Sequence, residues 1–216
     1  MTIRRTIVAA ESARSALQRL VEGNRRFVSE NARLRLRTGH ARRIELLEGQ
    51  EPCAIILGCS DSRVPAEIVF DQGLGDLFVI RVAGNVVAPS QIGSIEFAAE
   101  KFGTRLVVVL GHSGCGAVTS TVDELERASE QRSPHLRSIV DRIRPSVESL
   151  MQTELRHDRK TLIGYAVRAN IRSSVDHLRH GSQILEELIG RENLRIVGAE
   201  YSLETGIVEF FDDSGE

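Results

Sequence analysis

Leu57-Gly58-Cys59-Ser60-Asp61-Ser62-Arg63-Val64-Pro65 and, farther along, Leu110-Gly111-His112-Ser113-Gly114-Cys115-Gly116 decide how this chain folds. Each segment ends an apolar run: Ala54-Ile55-Ile56-Leu57 before the first and Leu106-Val107-Val108-Val109-Leu110 before the second. Short β-branched runs bounded by Gly read as strands buried on both faces of a parallel sheet. Both runs then stop on groups able to bind a soft metal or do acid–base chemistry. Two cysteines and a histidine at two strand ends are therefore candidates to meet in space.

The elements around these strands alternate. The sequence predicts strands near 53–58, 77–82 and 105–111 and helices near 65–70, 91–102 and 114–127, and strands joined by helical crossovers build a parallel α/β sheet. Ser133-Pro134 opens a further helix toward Ser149. A long one is predicted from about Thr153 to Arg179, with little but Gly164 to interrupt it. After Gly181 a short helix leads into Leu194–Tyr201, and Glu204-Thr205-Gly206 turns the chain into Ile207–Phe211, a hairpin on the sheet edge. From about Ala9 to Ser29, residues Ala13, Ala16, Leu17, Leu20, Val21, Phe27 and Val28 approximate a helical stripe with Ser12 as N-cap. This helix precedes every strand and has no obvious sheet of its own to cover.

At 216 residues the chain suits one α/β domain spanning 1–216, with an N-terminal helical arm at 9–49 and a core at 50–211. A chain of this length buries about 70% of its unfolded surface. Lys plus Arg number 28 against 30 for Asp plus Glu, and the net charge of -2 gives no case for a nucleic-acid partner. Arg33-Leu34-Arg35-Leu36-Arg37, with Arg42 and Arg43 behind it, is basic, but no aromatic residues interleave it. It reads as a solvated or subunit-facing surface. Ile7-Val8-Ala9-Ala10 is too short for a secretory segment and no apolar span of about 18 residues occurs, so a soluble, cytoplasmic protein without a membrane partner is expected. Three cysteines, an odd number, fit a reducing compartment.

Thiolate and imidazole are the usual zinc ligands, and catalytic zinc commonly keeps three protein ligands and a fourth position for water. Cys59, His112 and Cys115 supply such a set, and the N-terminus of the helix after Cys115 stabilises its thiolate. In an open α/β sheet, ligands sit beyond the carboxyl ends of strands where the winding reverses; the first and third strands are placed to flank that reversal. Cys53 lies about 20 Å from Cys59 along a strand, too far to share the ion, and reads as a buried free thiol. Asp61 and Arg63 come after Cys59 at alternate positions, so an extended segment aims all three to one side. Asp61 has two competing roles on spacing: direct ligation, or acceptance of a hydrogen bond from the ion's water while paired to Arg63. The bland alternative is a surface Asp–Arg pair worth at most about 1 kcal/mol. His40, His135, His157, His177 and His180 have no cysteine at ligand spacing and read as surface residues. Gly73-Leu74-Gly75 reads as a turn and Gly114-Cys115-Gly116 as room for a metal, since neither completes a phosphate loop or a dinucleotide fingerprint.

Cys59-x-Asp61-x-Arg63 with His112-x-x-Cys115 further along resembles the β-class carbonic anhydrases. The likeness extends through Arg63-Val64-Pro65-Ala66-Glu67, Phe78-Val79-Ile80-Arg81-Val82-Ala83-Gly84-Asn85, Gly93-Ser94-Ile95-Glu96-Phe97 and Gly111–Val118, and covers roughly residues 10 to 210. It implies a four-stranded parallel sheet in order 2-1-3-4, an antiparallel edge strand, and N-terminal helices that embrace a partner subunit. It also implies reversible hydration of carbon dioxide to bicarbonate and a proton, with one Zn²⁺ per chain on Cys59, His112 and Cys115. Asp61, fixed by Arg63, would orient the nucleophile; unpaired, it would become a fourth zinc ligand in a closed form.

One branch of the family carries a Gln nine residues before the first cysteine, which is Gln50 here. The branch regulated by non-catalytic bicarbonate instead carries a Trp three residues before it, where this chain has Ile56. The resemblance puts Phe78 and Phe97 on the apolar pocket walls, with Ala83 in place of a commonly larger aliphatic residue. Nine residues at strand rise cover about 30 Å, so Gln50 is expected to reach a zinc only across a subunit boundary, in a homodimer or a homotetramer paired from two. Two rival functions share the ligand set: a carbon disulfide or carbonyl sulfide hydrolase, and a non-catalytic zinc-stabilised binding protein. Against the second, structural sites are normally closed by four Cys or His ligands, and the pattern holds three.

Overall fold

The computed structural model describes residues 11–33, 38–126 and 133–211. Strands β1 (Ala54–Gly58), β2 (Leu77–Arg81), β3 (Leu106–His112) and β4 (Arg195–Tyr201) run parallel, and β5 (Val208–Phe211) pairs antiparallel with β4. The order is β2-β1-β3-β4-β5, as the resemblance implies. The helices are α1 (Ala13–Val28), α2 (His40–Glu45), α3 (Ala66–Val69), α4 (Pro89–Phe102), α5 (Gly116–Glu126), α6 (Pro134–Met151), α7 (Arg159–His180) and α8 (Gln183–Glu192).

Every residue of β1 and β3 is buried, which continuous β-branched runs require in a sheet covered on both faces. Side chains alternate along each strand. Ile55, Leu57, Val107, Val109 and Ile196 pack into a layer with α4 to α8, whereas Ala54, Ile56, Val108, Leu110, Val197 and Ala199 pack into a second layer with α1 and α3.

Two expectations change. The first helix does have a sheet of its own: Ala13, Ala16 and Leu20 lie in the core beneath the second face, because an amphipathic stripe fixes that a face is buried and not what covers it. The long helix from Thr153 is two pieces, a 3-10 turn over Glu154–His157 and then α7. Asp158 restarts the helix as N-cap, its carboxylate accepting from Thr161 N at 3.2 Å and Thr161 Oγ1 at 2.7 Å, while Gly164 sits inside α7 without interrupting it. The predicted start of the first helix before residue 11, and Leu34–Arg37 of the basic segment, lie outside the described residues.

Asn24, buried in α1, ties this second layer together. Its Nδ2 donates to Val69 O at 3.1 Å and Gly206 O at 2.9 Å, and its Oδ1 accepts from Val208 N at 2.9 Å. Asn24→Ala leaves those backbone groups without their partner, and at roughly 1 kcal/mol net per bond it is expected to cost on the order of 3 kcal/mol. Urea unfolding checks this; a loss below about 1 kcal/mol would show that the helix is held by its apolar face alone.

Candidate metal centre

Gly58 at the end of β1 stands opposite Leu110 of β3. The segments leaving the two strands therefore emerge side by side: Cys59 just past β1, His112 as the last residue of β3, and Cys115 immediately before α5. The ligand atoms of these three residues lie within 4.8 Å of one another, and the two sulfurs are 4.0 Å apart. Two sulfurs at about 2.3 Å from a tetrahedral zinc stand about 3.8 Å apart, so the spacing fits that ion. His112 Nδ1 is 3.1 Å from Ser113 O, which assigns the ring proton to Nδ1 and leaves a lone pair on Nε2. That Nε2 is fully buried and has no hydrogen-bond partner. A bare buried acceptor is costly unless something takes its lone pair, and a cation between the sulfurs does so.

The protonation of the three donors points the same way. Cys59 ionises well below the usual thiol range, because the Cys115 thiol hydrogen-bonds its sulfur and the nearby His112 ring and the backbone amides of Gly84 and Asp61 favour the anion, together outweighing burial. That same hydrogen bond to Cys59, with burial and the neighbouring thiolate's charge, holds the Cys115 thiol well above its ordinary value. Burial opposes a proton on His112, yet Cys59, the Ser113 carbonyl and Asp61 together raise its basicity. The site attracts positive charge.

Asp61 borders the three donors without joining them. Arg63 grips it three times, through N and Nε to Oδ1 at 3.0 and 2.9 Å and through Nη2 to Oδ2 at 2.7 Å. These bonds, chiefly from the Arg63 side chain, hold the carboxyl far below the usual carboxylate range. Its Oδ2 lies 3.8 Å from His112 Nε2, so this is no remote surface pair. Arg81 is the residue that spacing does not reveal: it donates to Cys59 O at 3.0 Å and to Asp61 O at 2.6 Å. Its signal is register, since it pairs with Gly58 across the sheet.

The remaining expected residues separate into near and far. Ala83 opens the 3-10 turn Ala83–Asn85, whose Gly84 amide donates to Cys59 Sγ at 3.3 Å. Phe78 lies opposite Ile55, toward the start of β2, and joins Phe97 and Phe102 in an aromatic trio with centroids 5.8 to 6.2 Å apart. Gln50 precedes β1, at the end opposite Cys59, and lines a cleft of about 530 Å³ with Arg43, Leu46, Leu74 and Phe102. Within one chain, then, the fold brings Phe78, Phe97 and Gln50 toward one another and not to the three donors. Cys53 is buried and apart from them, and the five other histidines are exposed. Glycine at 114 answers to its backbone, φ 63°, since a Cβ there would meet no protein atom within 4 Å.

Three N and S donors around one point, beyond the carboxyl ends of adjacent parallel strands, define a transition-metal centre with a position left for water. The chain belongs to the carbonic anhydrase family, whose sequence model matches residues 54–208. It is 38% identical over 202 residues to a carbonic anhydrase of Mycolicibacterium smegmatis, spanning 94% of this chain and 95% of that protein. It is 37% identical over 201 residues to carbonic anhydrase 2 of Mycobacterium tuberculosis, spanning 93% and 94%. Its backbone matches the β-carbonic anhydrase CafA of Aspergillus fumigatus with a TM-score of 0.71 at 25% identity, over 81% of this chain and 82% of that one. The class is the β class.

Cys53 and Cys59 are equally shielded, each 5% exposed, but burial pushes the Cys53 thiol up to about 11 while Cys59 is lowered. After the metal is stripped with a chelator, iodoacetamide at pH 7 is expected to label Cys59 well before Cys53, because the thiolate is the nucleophile. Peptide mass spectrometry reads the order; equal labelling would show that access and not ionisation governs these sulfurs.

Proposed function

We infer that this chain catalyses the reversible hydration of carbon dioxide to bicarbonate and a proton. The observation that carries the inference is the Cys59–His112–Cys115 cluster beside an Asp61 held by Arg63, in a chain of the carbonic anhydrase family. Zinc, when held by those three residues, supplies a Lewis acid that makes water a nucleophile near neutral pH. The chain's own groups do the rest. Asp61 is kept ionised and is therefore an acceptor only; a water or hydroxide beside it must turn a hydrogen toward the carboxylate and a lone pair elsewhere, toward the substrate carbon. Arg63 keeps Asp61 from swinging onto the three donors, and without it the four-ligand closed form is favoured. A purely structural zinc has no use for this dyad. Hydrolysis of carbon disulfide or carbonyl sulfide uses the same donors, and the relatives do not favour it.

We further propose a homodimer, which in turn pairs into a tetramer, with Gln50 supplied to the partner's centre and Phe78, Ala83 and Phe97 shaping the pocket. Among the described residues β2 is an open sheet edge, and near its start the aromatic trio and the Gln50 cleft bring together Leu74, 39% exposed, and Phe97, 53% exposed. Ile44 and Leu47, in α2 and the turn after it, are likewise exposed. An apolar surface beside an unpaired edge invites a second copy. Three free thiols, two of them in the donor set, suit the reducing cytoplasm; no described helix is long and apolar enough to cross a membrane.

Stopped-flow hydration of carbon dioxide tests the activity, and a chain that turned over carbon disulfide instead would reverse the assignment. Two thiolates cancel the formal charge of Zn²⁺, so its water is acidified less than by three neutral imidazoles, for which the value is about 7 in a different class of carbonic anhydrase. The hydration kcat/KM is expected to climb from neutral into alkaline pH with a midpoint above about 7. A profile already flat at pH 6.5 would remove the charge argument.

Gln50→Ala is expected to keep its metal and lose on the order of 10²-fold in rate, as when one positioned donor is removed. Mixing Gln50→Ala with Cys59→Ala subunits should restore activity, because one of the two composite sites in a mixed dimer is then intact. No recovery in a mixture shown to exchange subunits would refute the shared site.

A further inference from the structure

The turn that leaves β2 has an uncommon backbone. Gly84 has φ 70° and ψ 20°, and Asn85, with a side chain to accommodate, has φ 44°; two left-handed residues in succession need support from outside. A side chain at 84 would be strained by that φ, and its Cβ would press on Ile143 Cδ1 at 2.8 Å and Ala117 Cβ at 3.0 Å. This conformation aims the Gly84 N–H at Cys59 Sγ.

The support comes from α7. Asn170 and Ser174, one helical turn apart on the same face, are buried to 2% and 5% exposure. Asn170 Nδ2 donates to Gly84 O at 2.8 Å, and Ser174 Oγ donates to Asn85 O at 3.1 Å. The helix comes this close because β3 carries Gly111 beneath it, where a Cβ would lie 2.5 Å from Ile171. Both hydrogen bonds go to the turn and not to the three metal donors.

We propose that Asn170 and Ser174 are positioning residues for the metal centre: by clamping the carbonyls of the Gly84–Asn85 turn, they hold the Gly84 amide on the Cys59 sulfur and so set how much charge that sulfur gives the ion. The proposal rests on the zinc assignment above. Once both thiols have lost their protons to a metal, Cys115 no longer donates to Cys59. Among the described residues the Gly84 amide then remains to hydrogen-bond that sulfur. An N–H···S bond draws charge from a thiolate and leaves the ion more electrophilic, so the water it binds is more acidic. Loosening the clamp makes Cys59 a stronger donor and the ion a weaker acid.

Cobalt(II) in place of zinc reads this directly, since the sulfur-to-metal charge-transfer band moves to longer wavelength as the thiolate becomes more electron-rich. Asn170→Leu and Ser174→Ala are each expected to bind about one metal per chain with that band shifted to longer wavelength. The pH midpoint of hydration kcat/KM should move upward, with activity at pH 7 reduced on the order of 10-fold, as for lost outer-shell partners, and recovered at alkaline pH. Ser174→Thr, which keeps the hydroxyl, should return both readouts toward the parent. If Asn170→Leu does not fold, Ser174→Ala decides by the same measurements. Variants that melt earlier but keep the parent band and midpoint would show that the two residues merely stabilise the fold. A parent chain that takes up neither cobalt nor zinc would overturn the metal assignment, and the clamp with it.

Discussion

The metal centre exists because β1 and β3 lie next to each other and point the same way. The chain first steps outward from β1 to β2 through α3, then back across β1 to β3 through α4. Parallel crossovers are right-handed, so steps in opposite directions put their helices on opposite faces, as α3 and α4 are found in the second and first layers. The carboxyl ends of β1 and β3 are left uncovered between them. Adjacent strands stand about 4.8 Å apart, which is the scale of a metal's donor set, and the register of Gly58 with Leu110 brings Cys59 level with the start of Gly111-His112.

Around that gap, backbone irregularity is matched by charged side chains. Beyond Gly58 the segment to Pro65 leaves the strand ladder after one bond, from Ser60 N to Val82 O at 3.3 Å. Its carbonyls are taken by Arg81, at Cys59 and Asp61, and the Asp61 carbonyl also accepts from Val64 N at 3.0 Å. Asp61 is thus held at both ends, its backbone by Arg81 and its carboxylate by Arg63. A carboxylate so fixed, next to buried thiols and a buried imidazole, has its charge set in place by the fold, the arrangement that preorganised electrostatic catalysis would use.

The sheet is legible in the sequence because its central strands are buried on both faces and write that burial as unbroken β-branched runs. The donors are legible because they end those runs. The features that sequence patterns do not reveal depend on contacts between distant parts of the chain. Arg81 meets the Cys59 loop only through strand register, and Asn170 meets Gly84 only after α7 is laid on β3, 86 residues away in sequence. The placement of α1 is hidden for a related reason, since its stripe is local and its partner is not. The break at Asp158 is different: Asp158 and Thr161 carry a cap signal in the sequence itself, and the apolar periodicity on either side masks it.

His112 closes the most deeply embedded strand of the sheet, wholly inaccessible and hydrogen-bonded in register with β4 up to Tyr201. A ligand on a loop can swing away and let its ion go while the rest of the protein stands still. Here the imidazole is wholly buried at the end of a central strand, and central strands belong to the most stable part of a fold, opening chiefly in sub-global or global fluctuations. Metal exchange in this chain is therefore tied to folding cooperativity, and the lifetime of the bound ion becomes a clock for how often the sheet itself comes apart.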